Sequence, residues 1–249
     1  MRVALIDGDM VVHRCAVVVD TPLERVSAGL YRFDEEFAIQ NTKSQIQGIA
    51  QATDCDTIVV AFSSSDNYRM GVDPNYKGHR KNRKPIVLAA VREAITEWSD
   101  VSTIVKAGLE ADDVLGILHT GKLVGKSVIC SGDKDLLTIP GTHYNPWQEH
   151  FGGVVEVDEV EAERRFYHQT ICGDRVDGYT GAPGWGDIKT GRLLQDAEEP
   201  SDLWQLTLSA FDGDEEAAIQ NARLARILRD GEFNYETGKP ILWQPPVGE

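Results

Sequence analysis

The stretch Val3-Ala-Leu-Ile-Asp7-Gly-Asp9 places four apolar residues directly before two acids. The same pattern returns at residues 57–62, which lead into a serine-rich turn with Asp66, and at residues 127–130, which lead into Ser131-Gly-Asp-Lys-Asp135. Short continuous apolar runs bounded by turn residues are typical of strands in a parallel sheet that helices cover on both faces. The sequence therefore predicts an α/β fold with a central, mostly parallel sheet.

Helices and a further strand are predicted around these runs. Residues 85–98, which start with proline, and residues 110–123, with apolar side chains on one face, have the pattern of helices, and residues 101–106 that of a strand. From residue 166 onwards the chain changes to glycine-rich turns between helical stretches. A chain of 249 residues is close to the size of one large α/β domain. We therefore expect one domain, with a catalytic core at residues 1–165.

The composition narrows the class of protein. Hydrophobic residues make up 41% and charged residues 26% of the chain, which is typical of a globular domain. The apolar runs are far shorter than the roughly 20 residues of a membrane helix, so neither a membrane span nor a signal peptide is expected. The four cysteines form no CxxC pair, which suits the cytoplasm, and the six histidines show no ligand spacing. The cysteines are interpreted as small core residues and the histidines as structural or surface residues.

Charge is distributed unevenly along the chain. The net charge of −15 argues against a nucleic-acid partner, because an acidic surface repels phosphates. Two tracts, residues 149–163 and 196–216, contain acids but no lysine or arginine, and are interpreted as solvated faces. Five cationic side chains nevertheless lie close together in the sequence: Lys77, Arg80, Lys81, Arg83 and Lys84. This segment is either a phosphate-contacting patch or a solvated basic loop.

Many acidic residues follow the predicted strands or lie near the starts of predicted helices. They are Asp7, Asp9, Asp66, Glu110, Asp112, Asp113, Asp133, Asp135, Asp174 and Asp177. Because the carboxyl ends of parallel strands meet at one edge of a sheet, these side chains are expected to converge. Carboxylates at close range repel one another, and oxygen ligands of this kind favour Mg²⁺ or Mn²⁺. Two such ions are a standard device for hydrolysing phosphodiesters.

Each acid also has a simpler explanation when it is taken alone. Asp7 and Asp133 could terminate strands, and Glu110 and Asp112 could occupy the first turn of a helix, where negative charge is favourable. The sequence contains no calcium-binding hand, no phosphate-binding GxxxxGK[ST] loop and no GxGxxG motif. The number of acids at strand ends favours a metal site over unrelated structural roles.

Five motifs, taken in order, resemble the flap-endonuclease superfamily of 5′-nucleases. They are Leu5-Ile-Asp-Gly-Asp9, Tyr76-Lys-Gly-His-Arg80, Glu110-Ala-Asp-Asp113, Ser131-Gly-Asp-Lys-Asp-Leu136 and Gly173-Asp-Arg-Val-Asp-Gly178. Within this superfamily the chain looks most similar to the replication 5′-exonucleases of short-tailed phages. The resemblance implies a PIN-like 5′-nuclease fold, a basic helical arch at about residues 67–100, and a helix-three-turn-helix followed by a tail in residues 166–249.

The resemblance also implies roles for individual residues. The implied ligands of two divalent cations are acidic: Asp7, Asp66, Glu110, Asp112, Asp113, Asp133, Asp135, Asp174 and Asp177. The residues implied near the scissile phosphate are cationic: Arg14, Arg69, Lys77 and Arg80. Those expected to contact DNA are Tyr76, by stacking on a base, and Lys81, Arg83, Lys84, Gly181, Gly184, Gly186 and Lys189. The glycine-rich segment would grip duplex phosphates with its amides and a bound monovalent cation such as K⁺.

Two positions depart from the family pattern. Asp66 stands closer to Arg69 than the family's ligand aspartate does, so either the loop brings Asp66 in, or Ser64 occupies its place and Asp9 compensates. Lys189 comes one residue later than the usual lysine of the helix-three-turn-helix. These departures concern one metal ligand and the grip on DNA.

The function implied by the resemblance is a Mg²⁺-dependent 5′-3′ exonuclease and flap endonuclease. It would act on the free 5′ end or 5′ flap of DNA, and on the RNA strand of RNA-DNA hybrids, in phage replication or recombination. A replication protein such as a single-strand-binding protein is an expected partner, and the host cytoplasm the expected location. Two alternatives stay open: a non-catalytic binder of DNA ends or branches with the same fold, and a related compact ribonuclease.

Overall fold

The computed structural model describes residues 1–22, 31–32, 34–79, 83–121, 126–148 and 153–246. The strands, in chain order, are β1 (Arg2–Asp7), β2 (Thr21–Pro22), β3 (Tyr31–Arg32), β4 (Thr57–Phe62), β5 (Ser102–Val105), β6 (Lys126–Cys130), β7 (Gly141–Tyr144), β8 (Val154–Val157), β9 (Gly173–Asp174), β10 (Tyr179–Thr180), β11 (Phe233–Asn234) and β12 (Lys239–Pro240).

The helices are α1 (Gly8–Val19), α2 (Glu35–Ala52), α3 (Arg69–Val72), α4 (Leu88–Thr96), α5 (Ala111–Thr120), α6 (Glu159–Cys172), α7 (Asp187–Leu194), α8 (Pro200–Ala210) and α9 (Glu215–Ala225). A 3₁₀ helix covers Lys134–Thr138.

The central sheet is mostly parallel, as the sequence predicts. In the described part of the chain six strands pair in the order β5-β4-β1-β6-β7-β8, and β8 alone among them runs antiparallel to its neighbour. The register pairs Asp7 of β1 with Ala61 of β4, and Ile6 with Cys130 of β6. The carboxyl ends of the three predicted acidic strands therefore meet at one edge.

Apolar clusters cover both faces of the sheet. On one face α1, α2 and α4 pack through residues such as Val11, Ile46 and Val91. On the other face α5 packs together with Ile227 and Leu228 from the C-terminal part of the chain. This two-sided burial explains why the strands are continuous apolar runs rather than alternating ones. Among the described residues, no helix has the length and apolar character that crossing a membrane requires.

A third apolar cluster consists of α6, α7, α8 and α9 together with Tyr76 and Trp243. Trp243 contacts the rings of Phe166 and Trp204, so the C-terminal segment that reads as an extended tail packs against this helical cluster. Because α6 begins at residue 159, the predicted division at residue 165 falls inside that helix.

Helix boundaries differ from the predictions where turn residues intervene. The helix expected from residue 85 begins at Leu88, after a turn in which the Leu88 amide donates to the Pro85 carbonyl. In the predicted arch, the described residues 73–79 and 83–87 form turns and irregular chain, and helix is confined to α3 and α4. Lys77 at φ 55° and the prolines of this segment are incompatible with a continuous helix.

Candidate active site

A cleft of about 1130 Å³ lies at the carboxyl edge of β1, where the acidic turns meet. Eight carboxylates line it: Asp7, Asp9, Glu110, Asp112, Asp133, Asp135, Asp174 and Asp177. They come from the end of β1, the start of α1, the start of α5, the turn after β6, and the β9 hairpin. The convergence predicted from strand ends therefore holds for these eight residues.

Asp7 and Asp112 are the two acids of the cleft whose negative charge is disfavoured by burial and by neighbouring acids. Asp7 caps α1 by accepting the Met10 amide, and its second oxygen accepts the Ser131 hydroxyl at 2.9 Å. Burial nevertheless raises the pKa of Asp7 to about 6. Burial and the charges of Asp7 and Asp133 raise the pKa of Asp112 well above its usual range. Among the described residues, no hydrogen-bond donor reaches the Asp112 carboxylate, so no hydrogen bond offsets the cost of its charge.

The turn after β6 contributes two more carboxylates. Asp133 caps the 3₁₀ helix by accepting the Asp135 amide at 2.9 Å. Asp135 accepts the Gln169 side-chain amide at 2.9 Å. Burial, together with the charges of Asp133 and Asp174, raises the pKa of Asp135 to about 6. Asp135 thus resembles Asp7 as a carboxyl that its surroundings do not neutralise.

On one side of the cleft, Lys77 and Tyr76 contact two of the acids, Glu110 and Asp177. The Lys77 ammonium contacts Glu110 and lies 3.6 Å from Asp177, and the Lys77 amide donates to the Asp177 carbonyl at 2.7 Å. Burial by itself would raise the pKa of Glu110, but the charges of Arg69 and Lys77 outweigh it and hold that pKa below its usual value. These contacts hold Lys77 in the lining of the cleft.

Asp113 does not join the predicted ligand cluster. Its side chain is fully buried, and Arg69 donates to both of its oxygens at 2.8 Å. The same oxygens accept the amides of Glu110 and Leu228 at 3.2 Å. Four donors leave this carboxylate no lone pair directed at the cleft, so the interpretation of Asp113 as a metal ligand does not fit the geometry.

Arg69 and Tyr76 lie deeper than the sequence suggests. Each is 2% exposed. Arg69 donates to the carbonyl of Leu224 in addition to its pairing with Asp113, and contacts Glu110 at 3.2 Å. The Tyr76 hydroxyl lies 3.0 Å from a Glu110 carboxylate oxygen and 2.8 Å from one of Asp177, and its single hydrogen is donated to one of them at a time. Both residues line the cleft and hold acids in position, but their burial leaves almost none of the Tyr76 ring exposed for stacking on a base.

Asp66 lies outside the cleft. It is fully exposed and accepts a hydrogen bond from Ser64, which holds its pKa below the usual value. Ser64 and Asp9 do line the cleft. Asp9 accepts the Ser63 amide at 2.8 Å. The structure therefore brings Ser64 and Asp9, but not Asp66, to the cleft, and the choice between the two ligand arrangements stays a prediction.

Over residues 2–167 the chain matches a protein family described as the 5′-3′ exonuclease, N-terminal resolvase-like domain. The chain belongs to this 5′-3′ exonuclease family. It is 33% identical to the exonuclease of Escherichia phage T7, over 76% of this chain and 74% of the relative. It is 34% identical to the exodeoxyribonuclease of Enterobacteria phage T3, over 76% and 73% of the two chains. These relatives support the assignment of this chain as a 5′-3′ nuclease.

The fold of this nuclease resembles that of the bacteriophage T5 flap endonuclease, solved as a pseudo-enzyme-product complex with DNA and metal ions. The TM-score is 0.68 at 16% sequence identity, and the match covers 90% of this chain and 89% of the other. At that identity the likeness concerns the fold alone. It supports the predicted class, a central parallel sheet with helices on both faces.

Two of the cations that the sequence predicts to contact phosphates line the nuclease cleft. Arg14 and Lys84 are exposed and line it, and the Arg14 guanidinium lies 4.8 Å from the centre of the Trp147 ring. Arg83 is ion-paired with Asp20 at 2.7 Å, away from that lining. Arg80 and Lys81 lie outside the described residues.

The glycine-rich segment of the nuclease joins β10 to α7. A Cβ at Gly181 would lie 2.1 Å from the carbonyl oxygen of Ile171, so this glycine permits close packing against α6. Gly184, at φ 76°, and Gly186, the N-cap of α7, have open space instead. Lys189 is exposed, with its ammonium 3.6 Å from the centre of the Trp185 ring. Gly184, Gly186 and Lys189 are therefore accessible, whereas Gly181 has a packing role.

Sequence reasoning missed two residues of the cleft. Arg92 of α4 lines it, donates to the Ser63 carbonyl at 2.8 Å and lies 3.7 Å from Asp9. Gln169 of α6 orients Asp135. Neither residue belongs to a motif, because each reaches the cleft from the middle of a helix that is remote from it in sequence. The available signal was the position of Arg92 in the predicted helix 85–98, within the predicted arch.

Proposed function

We propose that this chain is a divalent-metal-dependent 5′-3′ exodeoxyribonuclease with structure-specific flap endonuclease activity. The observation that carries the proposal is one cleft in which eight carboxylates lie beside the cations Lys77, Arg14 and Lys84. Carboxylates and cations serve different parts of phosphodiester hydrolysis, since the former hold metal ions and the latter attract and orient the polyanionic substrate.

The chemistry of the donor set fits two ions of Mg²⁺ or Mn²⁺. All the donors are oxygens, and Asp112 has a raised pKa without a hydrogen-bond donor among the described residues. The residues that would hold the ions are acids of the cleft: Asp7, Asp112, Asp133, Asp135, Asp174 and Asp177. When bound, such ions neutralise these charges and polarise the scissile phosphodiester.

The protein's own residues bind and orient the substrate. Lys77, held by Glu110 and Asp177, presents its ammonium on the cleft wall, where a scissile phosphate would exchange for one of these partners. Arg14, supported on Trp147, keeps its donors at the mouth of the cleft for a neighbouring phosphate. Arg69 acts through Glu110 by fixing that carboxylate.

DNA binding beyond the cleft is proposed for the segment between α6 and α7. Gly184 and Gly186 leave open space for a phosphate backbone, and exposed Lys189 adds a positive charge. A helix-three-turn-helix with a bound K⁺ is the arrangement that we propose for this segment. The solved T5 relative with DNA supports a DNA-binding use of the fold.

The biological setting is part of the same proposal. We propose a role in phage DNA replication or recombination, which fits the phage origin of the exonucleases that this chain resembles, and we propose the host cytoplasm as the location. We extend the substrate to the RNA strand of RNA-DNA hybrids and name a single-strand-binding protein as a partner. Digestion of labelled hybrids and co-purification with that protein test these two extensions.

The deciding experiment uses linear duplex DNA labelled at its 5′ end, beside a covalently closed circle. We expect release of label from the linear DNA with Mg²⁺ and none with EDTA, while the circle stays intact. Asp135→Asn should abolish release and retain DNA binding. Full activity of that variant would contradict the metal-dependent mechanism.

One observation favours the alternative of a non-catalytic DNA-end binder. Asp66, the acid nearest to the family's ligand position, is exposed and lies outside the cleft. If the remaining acids do not hold both ions, the protein should bind DNA ends with or without metal and release no label. The same experiment therefore separates the two functions.

A further inference from the structure

A second group of metal-ligating side chains lies outside the carboxylate cleft, between α6 and α7. His168 and Cys172 lie one turn apart on α6, and Asp187 is the first residue of α7. One candidate ligand atom from each residue lies within 4.8 Å of those of the other two. We propose that His168, Cys172 and Asp187 form a binding site for a borderline-soft divalent cation of the Zn²⁺ class.

The hydrogen bonding of His168 prepares one ring nitrogen for a metal. Its Nε2 lies 3.1 Å from the carbonyl oxygen of Asp187. A carbonyl can only accept, so Nε2 carries the proton in the neutral ring and Nδ1 keeps its lone pair. That Nδ1 lies 3.8 Å from the Cys172 sulfur. Zinc-binding histidines commonly donate their other ring nitrogen to a carbonyl or carboxylate in this way.

The separations suit a tetrahedral ion. Bonds of about 2.3 Å to sulfur and about 2.0 Å to nitrogen place those two ligand atoms about 3.5 Å apart in a tetrahedron. The observed 3.8 Å requires a movement of only a few tenths of an ångström. Three protein ligands leave one position for water, and a thiolate with an imidazole selects zinc over magnesium.

The three residues border a cavity, and part of the positive charge near that cavity is neutralised by an acid. A cavity of about 280 Å³ is lined by all three ligand residues. Gln169 also lines it, and its buried Oε1 has no hydrogen-bond partner among the described residues. The nearby cations Arg164 and Arg165 are both paired with Glu161, so their charges are partly compensated.

The position of the site gives it a structural consequence. It would join the last turn of α6 to the first turn of α7, across the segment 173–186 that contains the β9 hairpin and the glycine-rich turn. Asp174, one of the cleft carboxylates, belongs to that segment. A bound ion would therefore clamp the region that presents Gly184 and Gly186.

Cobalt(II) bound to a thiolate gives an absorption band that ions held by the oxygen ligands of the carboxylate cleft do not give. The full chain is saturated with Mg²⁺, so that the oxygen site is occupied, and then titrated with Co²⁺ while thiolate-to-metal charge-transfer absorption is recorded. We expect the band in the native chain, its displacement by Zn²⁺, and its loss in Cys172→Ser. Cys55→Ser is the matched control, because Cys55 is also half-buried, and should retain the band.

Two further readouts do not depend on the folding of the Cys172 variant. His168→Gln should weaken Co²⁺ binding at least 10-fold while it keeps the thiol. In the native chain, Zn²⁺ should slow alkylation of Cys172, measured by peptide mass, and leave that of Cys55 unchanged. A native chain that shows no thiolate band, or equal alkylation of Cys172 with and without Zn²⁺, would overturn the proposal.

Discussion

The carboxylate cleft and the Arg69–Asp113 pair place the same kind of charge in two opposite environments. Asp112 and Asp113 are adjacent in sequence at the start of α5. Asp113 is fully buried with Arg69 on both oxygens, whereas Asp112 faces Asp7 and Asp133 without a donor among the described residues. Removing the partner of a buried charge is destabilising, whereas a charge that has no such partner gains stability from a bound cation.

The sharpest test of this comparison is Asp112→Asn. We expect a loss of cleavage of roughly 1000-fold, about 4 kcal/mol of transition-state stabilisation, because a metal-holding charge is removed. Folding of the metal-free protein should not weaken, since a repelled carboxylate is replaced by a neutral amide of the same shape. Single-turnover cleavage and denaturant unfolding measure the two effects. Native-like cleavage would remove Asp112 from the site.

Asp113→Asn should give the reverse pattern. The substitution leaves the Arg69 guanidinium buried without its main partner, a change that costs about 3–5 kcal/mol of stability. Urea unfolding of the metal-free protein measures this loss. Cleavage by the fraction that remains folded should fall much less than in Asp112→Asn. A variant as stable as the native chain would show that this pair does not anchor the fold.

The pH dependence of stability should follow the uncompensated acids. Burial raises the pKa of Asp7 and of Asp135 from 3.8 to about 6, so the folded state binds these protons more tightly than the unfolded state. Stability from these groups is fully present below pH about 4 and is lost as the pH rises through about 6. Thermal unfolding in EDTA should therefore show a contribution that falls over this window.

Asp7→Asn isolates that contribution. Asparagine also caps helices well, so α1 keeps its start while the titrating group disappears. The difference in Tm between native chain and variant should change across pH 4 to 6 and stay constant above it. A difference independent of pH would contradict the raised pKa of Asp7.

At neutral pH, divalent cations should offset the repulsion between the carboxylates of the cleft. At a Mg²⁺ concentration 100 times its dissociation constant, linkage predicts about 2.7 kcal/mol of added stability. We expect a higher Tm with Mg²⁺ in the native chain and a smaller rise in Asp112→Asn. Equal shifts in both proteins would mean that Mg²⁺ acts elsewhere on this acidic chain.

Asp66→Asn should have the smallest effect. Asp66 is exposed and lies outside the cleft, so we expect cleavage within about twofold of the native rate under the same Mg²⁺ conditions. Asp9→Asn, which alters a residue that lines the cleft, is the matched comparison and should reduce cleavage more. A large loss in Asp66→Asn would instead support the arrangement in which the loop moves to bring Asp66 in.

The cluster between α6 and α7 shows how a pattern in sequence can be overlooked. His168 and Cys172 are four residues apart, the spacing that places two side chains on one face of a helix. A search for CxxC pairs does not detect it, and the third residue, Asp187, comes from the next helix. Of the four cysteines, only Cys15 and Cys130 are buried core residues as expected, whereas Cys55 and Cys172 are half-buried.

The sequence by itself determined the strands β1, β4 and β6, the edge at which their acids meet, and the family. These depend on short apolar runs and on the order of the motifs, and each run or motif consists of residues that are neighbours in the sequence. Only the tertiary structure decided that Asp112 has no hydrogen-bond donor among the described residues while Asp113 binds Arg69, that Tyr76 is buried, and that Asp66 lies outside the cleft. The partner of Asp113 lies 44 positions away in the chain, and burial is set by what packs from other elements. Such distant contacts leave no local pattern, so residues of identical chemistry acquire different roles only when the chain folds.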